Sequence, residues 1–292
     1  MEWLERLNQA LGYIEQNLDG EINYDHLARI ACCSTFHFQR MFSYIADVPL
    51  SEYIRRRRMS KAALELQNSD IRIIDLSLKY GYESPTAFNR AFQNVHGVSP
   101  SAARAEGVSL KTFPRMSFQI TIKGDVEMNY RIEKKEAFRI VGVKEHFDMT
   151  VEESMERVPQ FWAETLQNGS FEEVCRLSNQ EPCGVLGVST CMNGREFDYY
   201  IASATDRKAP ENTCEYIVPA ATWAIFECIG PMPQAIQELQ KRIVAEWLPT
   251  SGYEYADAPD IEVYPEGDTL SSNYKTEIWL PVVKNNKADE IK

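Results

Sequence analysis

The 292-residue chain reads as two domains, an all-α half followed by an α+β half with an antiparallel sheet. Three observations predict this. Up to about residue 107 the apolar residues recur at helical spacing, with short Gly, Pro and Ser punctuation. From about residue 128 the pattern turns to β-rich stretches with two helical patterns between them. Within the first half, a helical unit recurs at a constant offset of 50 residues.

The repeat is detailed. Ser34, Phe38, Arg40, Phe42, Val48 and Ser51 return as Ser84, Phe88, Arg90, Phe92, Val98 and Ser101. In the first copy, residues 24–31 form a short helix whose Leu27, Ala28 and Ala31 allow close helix crossing, and Cys32-Cys33 is the turn. Ser34 caps a second helix with Phe38, Met41 and Phe42 facing inward, which leaves Thr35, Phe36, His37, Gln39 and Arg40 to face outward. In the second copy, residues 73–80 are the first helix, Gly81 supplies the turn, and Ser84 caps a helix offering Pro85, Thr86, Asn89 and Arg90. A helix, a tight turn and a second helix with Arg-bearing outer positions is a helix-turn-helix, so the half is a double helix-turn-helix. Residues 50–68 form a long helix between the copies and carry Arg55-Arg56-Arg57-Arg58.

Charge supports a nucleic-acid partner for this half only. The chain carries a net charge of −12. Residues 29–104 hold 11 Lys+Arg against 6 Asp+Glu, whereas residues 108–292 hold 19 against 30. The basic segment is thus the one that carries the repeat. Arg pairs bidentately with guanine and Gln or Asn with adenine. Ser34, Thr35, Phe36, Gln39 and Arg40, with Ser84, Pro85, Thr86, Asn89 and Arg90, are therefore the expected contacts to double-stranded DNA. Arg55 and Arg56 are expected on phosphate. Two such helices held about one duplex turn apart, ~34 Å, would reach successive major grooves.

In the second half, Phe138-Arg139-Ile140-Val141, Gly184-Val185-Leu186-Gly187-Val188, Tyr199-Tyr200-Ile201 and Glu277-Ile278-Trp279-Leu280 read as strands, and residues 155–166 and 233–247 as helices. Residues 108–127 are the expected linker, with apolar residues that should pack on something, and residues 285–292 a solvated tail. No run approaches a membrane span, and the opening lacks the order of a signal peptide, so a cytoplasmic chain is expected. Seven cysteines, with no C-x-x-C pair, point to semi-buried thiols rather than disulfides or zinc. The four histidines form no cluster. No metal, cofactor or catalytic residue is expected.

The run Ser34-Thr35-Phe36-His37-Phe38-Gln39-Arg40-Met41-Phe42, then Tyr53-Ile54-Arg55-Arg56-Arg57-Arg58-Met59, Gly81-Tyr82-Glu83-Ser84 and Phe88-x-Arg90-x-Phe92 resemble the AraC/XylS family of transcription regulators over roughly residues 3–104. In its multidrug- and superoxide-resistance members an aromatic, a Gln and an Arg of the first recognition helix contact bases; the resemblance places these roles on Phe36, Gln39 and Arg40. Pro85, Thr86 and Ala87 stand where those relatives often have Gln-Gln-Thr, which implies a different target sequence.

Residues 129–283 resemble the GyrI-like effector-binding domain, on the motifs Trp223-Ala224-Ile225-Phe226-Glu227-x-x-Gly230-Pro231, Glu246-Trp247-Leu248-Pro249 and Thr276-Glu277-Ile278-Trp279-Leu280-Pro281-Val282. This implies two βαββ repeats, with Phe197-Asp198-Tyr199-Tyr200 the counterpart of the last strand. It also implies a pocket between the repeats, where a glutamate and aromatics accept a bulky, often cationic, aromatic effector. Glu277 is the carried-over acid. It shares a strand face with Trp279, and Trp223, Tyr200 and Tyr264 are further walls. The expected domains are residues 1–107 and 128–284. The expected function is a DNA-binding regulator in which a small molecule changes either promoter binding or contact with RNA polymerase. Hydrolysis or sequestration of a reactive small molecule by the second domain is the alternative.

Overall fold

The computed structural model describes residues 2–118, 127–147, 151–190 and 196–284. The expected tail, residues 119–126 of the expected linker and Cys191 lie outside them. By internal contacts the chain divides into two compact units, residues 1–31 with 46–120, and residues 32–45 with 121–292.

The first unit is helical: α1 (Glu2–Gln16), α2 (Tyr24–Ala31), α4 (Leu50–Asn68), α5 (Ile73–Lys79) and α6 (Pro85–His96), followed by a 3₁₀ turn at Ala102–Arg104. Leu7, Ala10, Leu11 and Ile14 repeat at three- and four-residue steps and are buried, which makes α1 amphipathic. A second core gathers Met59, Ala62 and Leu66 of α4, Leu76 of α5, and Phe88 and Phe92 of α6, with Leu110 and Phe113 packed against it. Residues 108–118 of the expected linker are thus docked: the Phe118 N–H donates to Asn8 at 2.9 Å. His96 bridges α6 to α4 through Met59 O at 3.1 Å, and its other ring nitrogen accepts from the Lys111 N–H at 3.2 Å. These partners make Nε2 the donor, and burial lowers the His96 pKa.

The arginine run splits by helical geometry. Arg57 reaches Glu15 with two bonds of 2.8 and 2.7 Å, and Arg58 donates to Leu18 O and Gly20 O at 3.0 and 2.6 Å. Tyr53 donates to the same Glu15 at 2.8 Å, and burial with that bond pushes its phenol up to about 12. Arg55 and Arg56 turn the other way and both pair with Glu52.

The second unit is a nine-stranded antiparallel sheet with helices on one face. Its strands are β1 (Tyr130–Lys135), β2 (Phe138–Phe147), β3 (Val185–Ser189), β4 (Phe197–Ala204), β5 (Cys214–Val218), β6 (Ala221–Ile229), β7 (Tyr253–Tyr255), β8 (Asp260–Tyr264) and β9 (Lys275–Lys284). Its helices are α3 (Thr35–Ala46), α7 (Val151–Gln167), α8 (Ser170–Leu177) and α9 (Gln234–Arg242), which runs into a π-helical turn at Ile243–Trp247.

The order β1-β6-β9-β8-β3-β4-β2-β5 is symmetric about the β8–β3 contact. Each half holds the βαββ set expected from the resemblance, β2-α-β3-β4 or β6-α-β8-β9. The extra strands are exchanged: β1 of the first repeat pairs with β6 of the second, and β5 with β2. Strand alternation sorts the side chains into two faces. Ile140, Leu186, Tyr200, Trp223, Ile261 and Trp279 line the helix-free face. Phe226, Ile278 and Leu280 pack under α9, and Phe147, Phe197, Tyr199 and Ile201 pack with Phe161 of α7 and Val174 of α8. Cysteines 175, 183, 214 and 228 are free thiols; Cys32, Cys175 and Cys183 are exposed instead of semi-buried.

Candidate functional site

The two helices expected to read DNA span the same frame, since α3 shifted by 50 residues gives the bounds of α6. Their caps match. The His37 N–H donates to Ser34 Oγ, and the Ala87 N–H to Ser84 Oγ, each at 3.2 Å. Phe38, Met41 and Phe42 are buried in α3, as Phe88 and Phe92 are in α6. Both helices end in a left-handed residue, Asp47 at φ 49° and Gly97 at φ 79°.

The outer faces differ. Pro85, Thr86, Asn89 and Arg90 are exposed, as the sequence predicts. Thr35, Phe36 and His37, expected outside, are only 5, 8 and 3 % exposed. Thr35 falls on the same helix face as Phe38 and Phe42, three and seven residues on, whereas Phe36 and His37 are covered by the sheet of the same unit. The Phe36 ring lies 4.7 Å from that of Phe197, and His37 stacks on Tyr255 at 4.2 Å. Arg40 donates to Asp260 Oδ2 at 2.6 Å and to the Tyr44 hydroxyl at 3.1 Å. Gln39 is half-buried, its amide turned back to Thr35 O at 3.5 Å.

A polar chain continues from α3 into the sheet. Tyr44 donates to Gln240 at 2.7 Å, and Gln240 donates to Glu262 at 2.6 Å. Tyr264 donates to Glu262 at 2.9 Å, and Trp162 donates to the Tyr199 hydroxyl at 3.0 Å. Gly187 makes this possible: a Cβ there would collide with the Tyr199 hydroxyl and press on Glu262. Burial next to Glu262 raises Tyr199 and Tyr264 well above the ordinary phenol range. Asp260 is held below its ordinary value: burial opposes this, and His37 and Arg40 outweigh it. The cavity among Arg40, Tyr44, Gln240 and Glu262 is about 20 Å³, room for one water and far too small for an aromatic effector.

Four of the five expected effector residues share the helix-free face. Trp223 and Trp279 lie 5.9 Å apart, and Tyr200 belongs to the same buried cluster. Glu277 is 27 % exposed at the rim, where it accepts from the Trp279 indole N–H at 2.8 Å and from Arg131 at 2.8 Å. Lys135 stands 5.5 Å over the Trp279 ring, so two of the chain's own cations already face this acid–aromatic pair. Asp198 and Tyr200 are its counterpart on β4, with Lys144 2.7 Å from Asp198 and 5.8 Å over the Tyr200 ring.

Tyr264 does not join them. It stands on the opposite face with Glu262, because residues 260, 262 and 264 alternate away from Ile261 and Val263. Sequence reasoning passed over Asp260, Glu262, Tyr199, Gln240 and Trp162. The alternation Asp260-Ile261-Glu262-Val263-Tyr264 was a usable signal for the first two. Among the described residues no cluster of metal-ligating side chains occurs, and no helix is long and apolar enough to cross a membrane.

Comparison with known proteins agrees with both halves. Residues 128–283, more than half of the chain, match the GyrI-like small molecule binding domain, and residues 27–106 match a helix-turn-helix domain. The HTH-type transcriptional activator AarP of Providencia stuartii is 40% identical over 98 residues, which are 34% of this chain and 73% of AarP. Regulatory protein SoxS of Escherichia coli (strain K12) is 32% identical over 34% of this chain and 92% of its own length. The structure of SAV2435 bound to tetraphenylphosphonium aligns with 53% of this chain and 94% of that one, at a TM-score of 0.50 and 25% identity. The chain therefore belongs to the AraC/XylS family of DNA-binding transcription regulators, with a GyrI-like small-molecule-binding domain behind its double helix-turn-helix.

Proposed function

We propose that the chain is a one-component regulator in which an aromatic organic cation, bound on the helix-free face of the sheet, changes how α3 and α6 occupy a promoter. Residues 1–107 read the DNA, residues 108–127 connect, and residues 128–284 hold the effector. Phe36, Gln39 and Arg40, with Thr86, Asn89 and Arg90, contact bases. Ser34, Thr35, Ser84, Pro85, Arg55 and Arg56 contact the backbone. The observation that carries the DNA half is the coincidence of α3 and α6 in bounds, cap and buried aromatics at one offset.

The effector class rests on the Glu277–Trp279–Trp223 group. A carboxylate beside two indoles tilted at 56° suits a cation, through charge and a cation–π attraction of about 0.5–2 kcal/mol. Arg131 and Lys135, which face that group, are partly exposed and can swing into water when a ligand cation replaces them. The Trp223 indole N–H is buried with no acceptor among the described residues, an arrangement that a bound ligand carrying an acceptor would relieve. SAV2435, which was solved with tetraphenylphosphonium, supports the same chemistry. The kinship with AarP, a transcriptional activator, supports activation, for which contact with RNA polymerase is the proposed route, and a DNA partner supports a cytoplasmic location.

The test is titration of the full chain with tetraphenylphosphonium, followed by tryptophan fluorescence. Glu277→Gln and Trp279→Ala are each expected to weaken binding, and the recovered cation to be chemically unchanged, as a sensor requires. Equal binding by both variants would overturn the site. Turnover that depends on Glu277 would favour the hydrolase reading.

A further inference from the structure

The outer face of α3 is not merely shielded; it is bound as a ligand would be. We infer that Asp260, Tyr255 and Phe197 form a dock that holds α3 by its base-reading side chains, so that the sensor sheet and DNA compete for one face of one helix. This rests on the proposed reading roles of Phe36 and Arg40.

The dock takes two of those side chains, Phe36 and Arg40, together with their neighbour His37. Phe197 takes Phe36, Tyr255 takes His37, and Asp260 takes Arg40. A guanidinium that gives its Nη1 hydrogen to a carboxylate and its Nε hydrogen to Tyr44 cannot offer the same fork to a guanine edge. The matched helix α6 keeps Asn89 and Arg90 in solvent, so the covering of α3 is not a property of the repeat. The dock therefore leaves the chain one free reading helix.

Its chemistry is that of a releasable contact. Asp260 uses a single oxygen, Oδ2, for both Arg40 and His37, while Oδ1 is buried with no partner among the described residues. A buried ion pair that satisfies only part of its carboxylate recovers little of its desolvation cost, and both charges regain strong partners on separation. The strand that holds α3 is also exposed to the effector side. Asp260 and Glu262 of β8 face α3 and α9, while Ile261 of the same strand pairs in register with Trp279 on the helix-free face. A ligand that moves Trp279 acts on the strand that carries Asp260, the ionic member of the dock.

The experiment measures the affinity of the full chain for a selected operator duplex at one fixed salt concentration. Parent, Asp260→Asn, Tyr255→Leu and Asp260→Asn with Arg40→Ala added are compared, with amide hydrogen exchange of residues 35–46 followed in the first three. Apparent affinity is the intrinsic value scaled by the released fraction. Asp260→Asn and Tyr255→Leu are expected to bind about tenfold tighter, as for a docked population of roughly 90 %, and to exchange faster in α3. Because Arg40→Ala also frees α3, it is read in the Asp260→Asn background, where it is expected to bind more weakly than Asp260→Asn alone. Unchanged or weaker binding by both dock variants, with a further loss when Arg40→Ala is added, would overturn the dock while leaving the reading role intact. No further loss of affinity when Arg40→Ala is added to Asp260→Asn would overturn the reading role itself. Should Asp260→Asn fail to fold, Tyr255→Leu decides the question alone.

Discussion

Helices α3 and α6 share a frame, a cap and an inner face, yet one outer face lies against a sheet and the other in water. The inner face follows from local rules: an aromatic pair at i and i+4, an N-cap serine and a left-handed final residue specify the same helix twice. The outer face is set by partners more than 150 residues away, Phe197 and Asp260 among them. Repetition in sequence therefore duplicates the element without duplicating its surroundings.

The largest effect that probes this comparison lies inside the helices. Phe38 and Phe88 are both fully buried, and truncating either to Ala is expected to cost about 3–5 kcal/mol in denaturant unfolding. A near-neutral Phe38→Ala would show that the inner faces are not equivalent after all.

Acid separates the two regions next. Burial lowers the His96 pKa at the end of α6, so the folded state resists taking up a proton that the unfolded chain accepts near 6.5. Its contribution is present above that value and is lost as pH falls towards the lowered one. Asp260 is depressed by His37 and Arg40, so its contribution is complete above 3.8 and lost only below it. Lowering pH from 7 to 5 should accordingly weaken α6 without loosening the hold on α3, since a proton gained by His37 beside Asp260 adds to the attraction, as read by hydrogen exchange of each helix. His96→Gln should flatten the first response, and simultaneous loosening of both helices over that range would contradict the assignment.

The smallest effect lies at the C-termini. Gly97→Ala should cost about 1–2 kcal/mol, because a Cβ is disfavoured in the left-handed region. At the matched position, Asp47→Gly should change stability by less than about 1 kcal/mol, since Asp tolerates that region better than most residues. Thermal melting compares the two.

Much of this architecture was legible beforehand for physical reasons. The repeat, its turns and the outward Arg90 follow from helical period and capping, which act within a few residues. Glu277 and Trp279 could be placed on one face because strand alternation is strict, while it was the family resemblance that implied Trp223 and Tyr200 beside them. The exchange of β1 and β5 between repeats was not legible, since an edge strand carries no mark of which half it pairs with. Tyr264 was assigned to the wrong face, although its alternation with Val263 already separated them. Arg57 and Arg58 differ from Arg55 and Arg56 only by steps around one helix, and Glu15 and the chain at residues 18–20 decide which turn inward. The burial of Phe36 and Arg40 had no sequence signal, because the alternation around Asp260 marks its face of the sheet but not the helix that packs there.

The most direct measurement is selection of duplexes from a random DNA library by the full chain, repeated with Arg40→Ala and with Arg90→Ala. Twin reading helices predict a parent preference for two short motifs about one duplex turn apart, ~34 Å, each variant losing base preference in one motif and keeping the other. Retention of the parent's full preference by both variants would contradict the assignment of α3 and α6 as the reading helices.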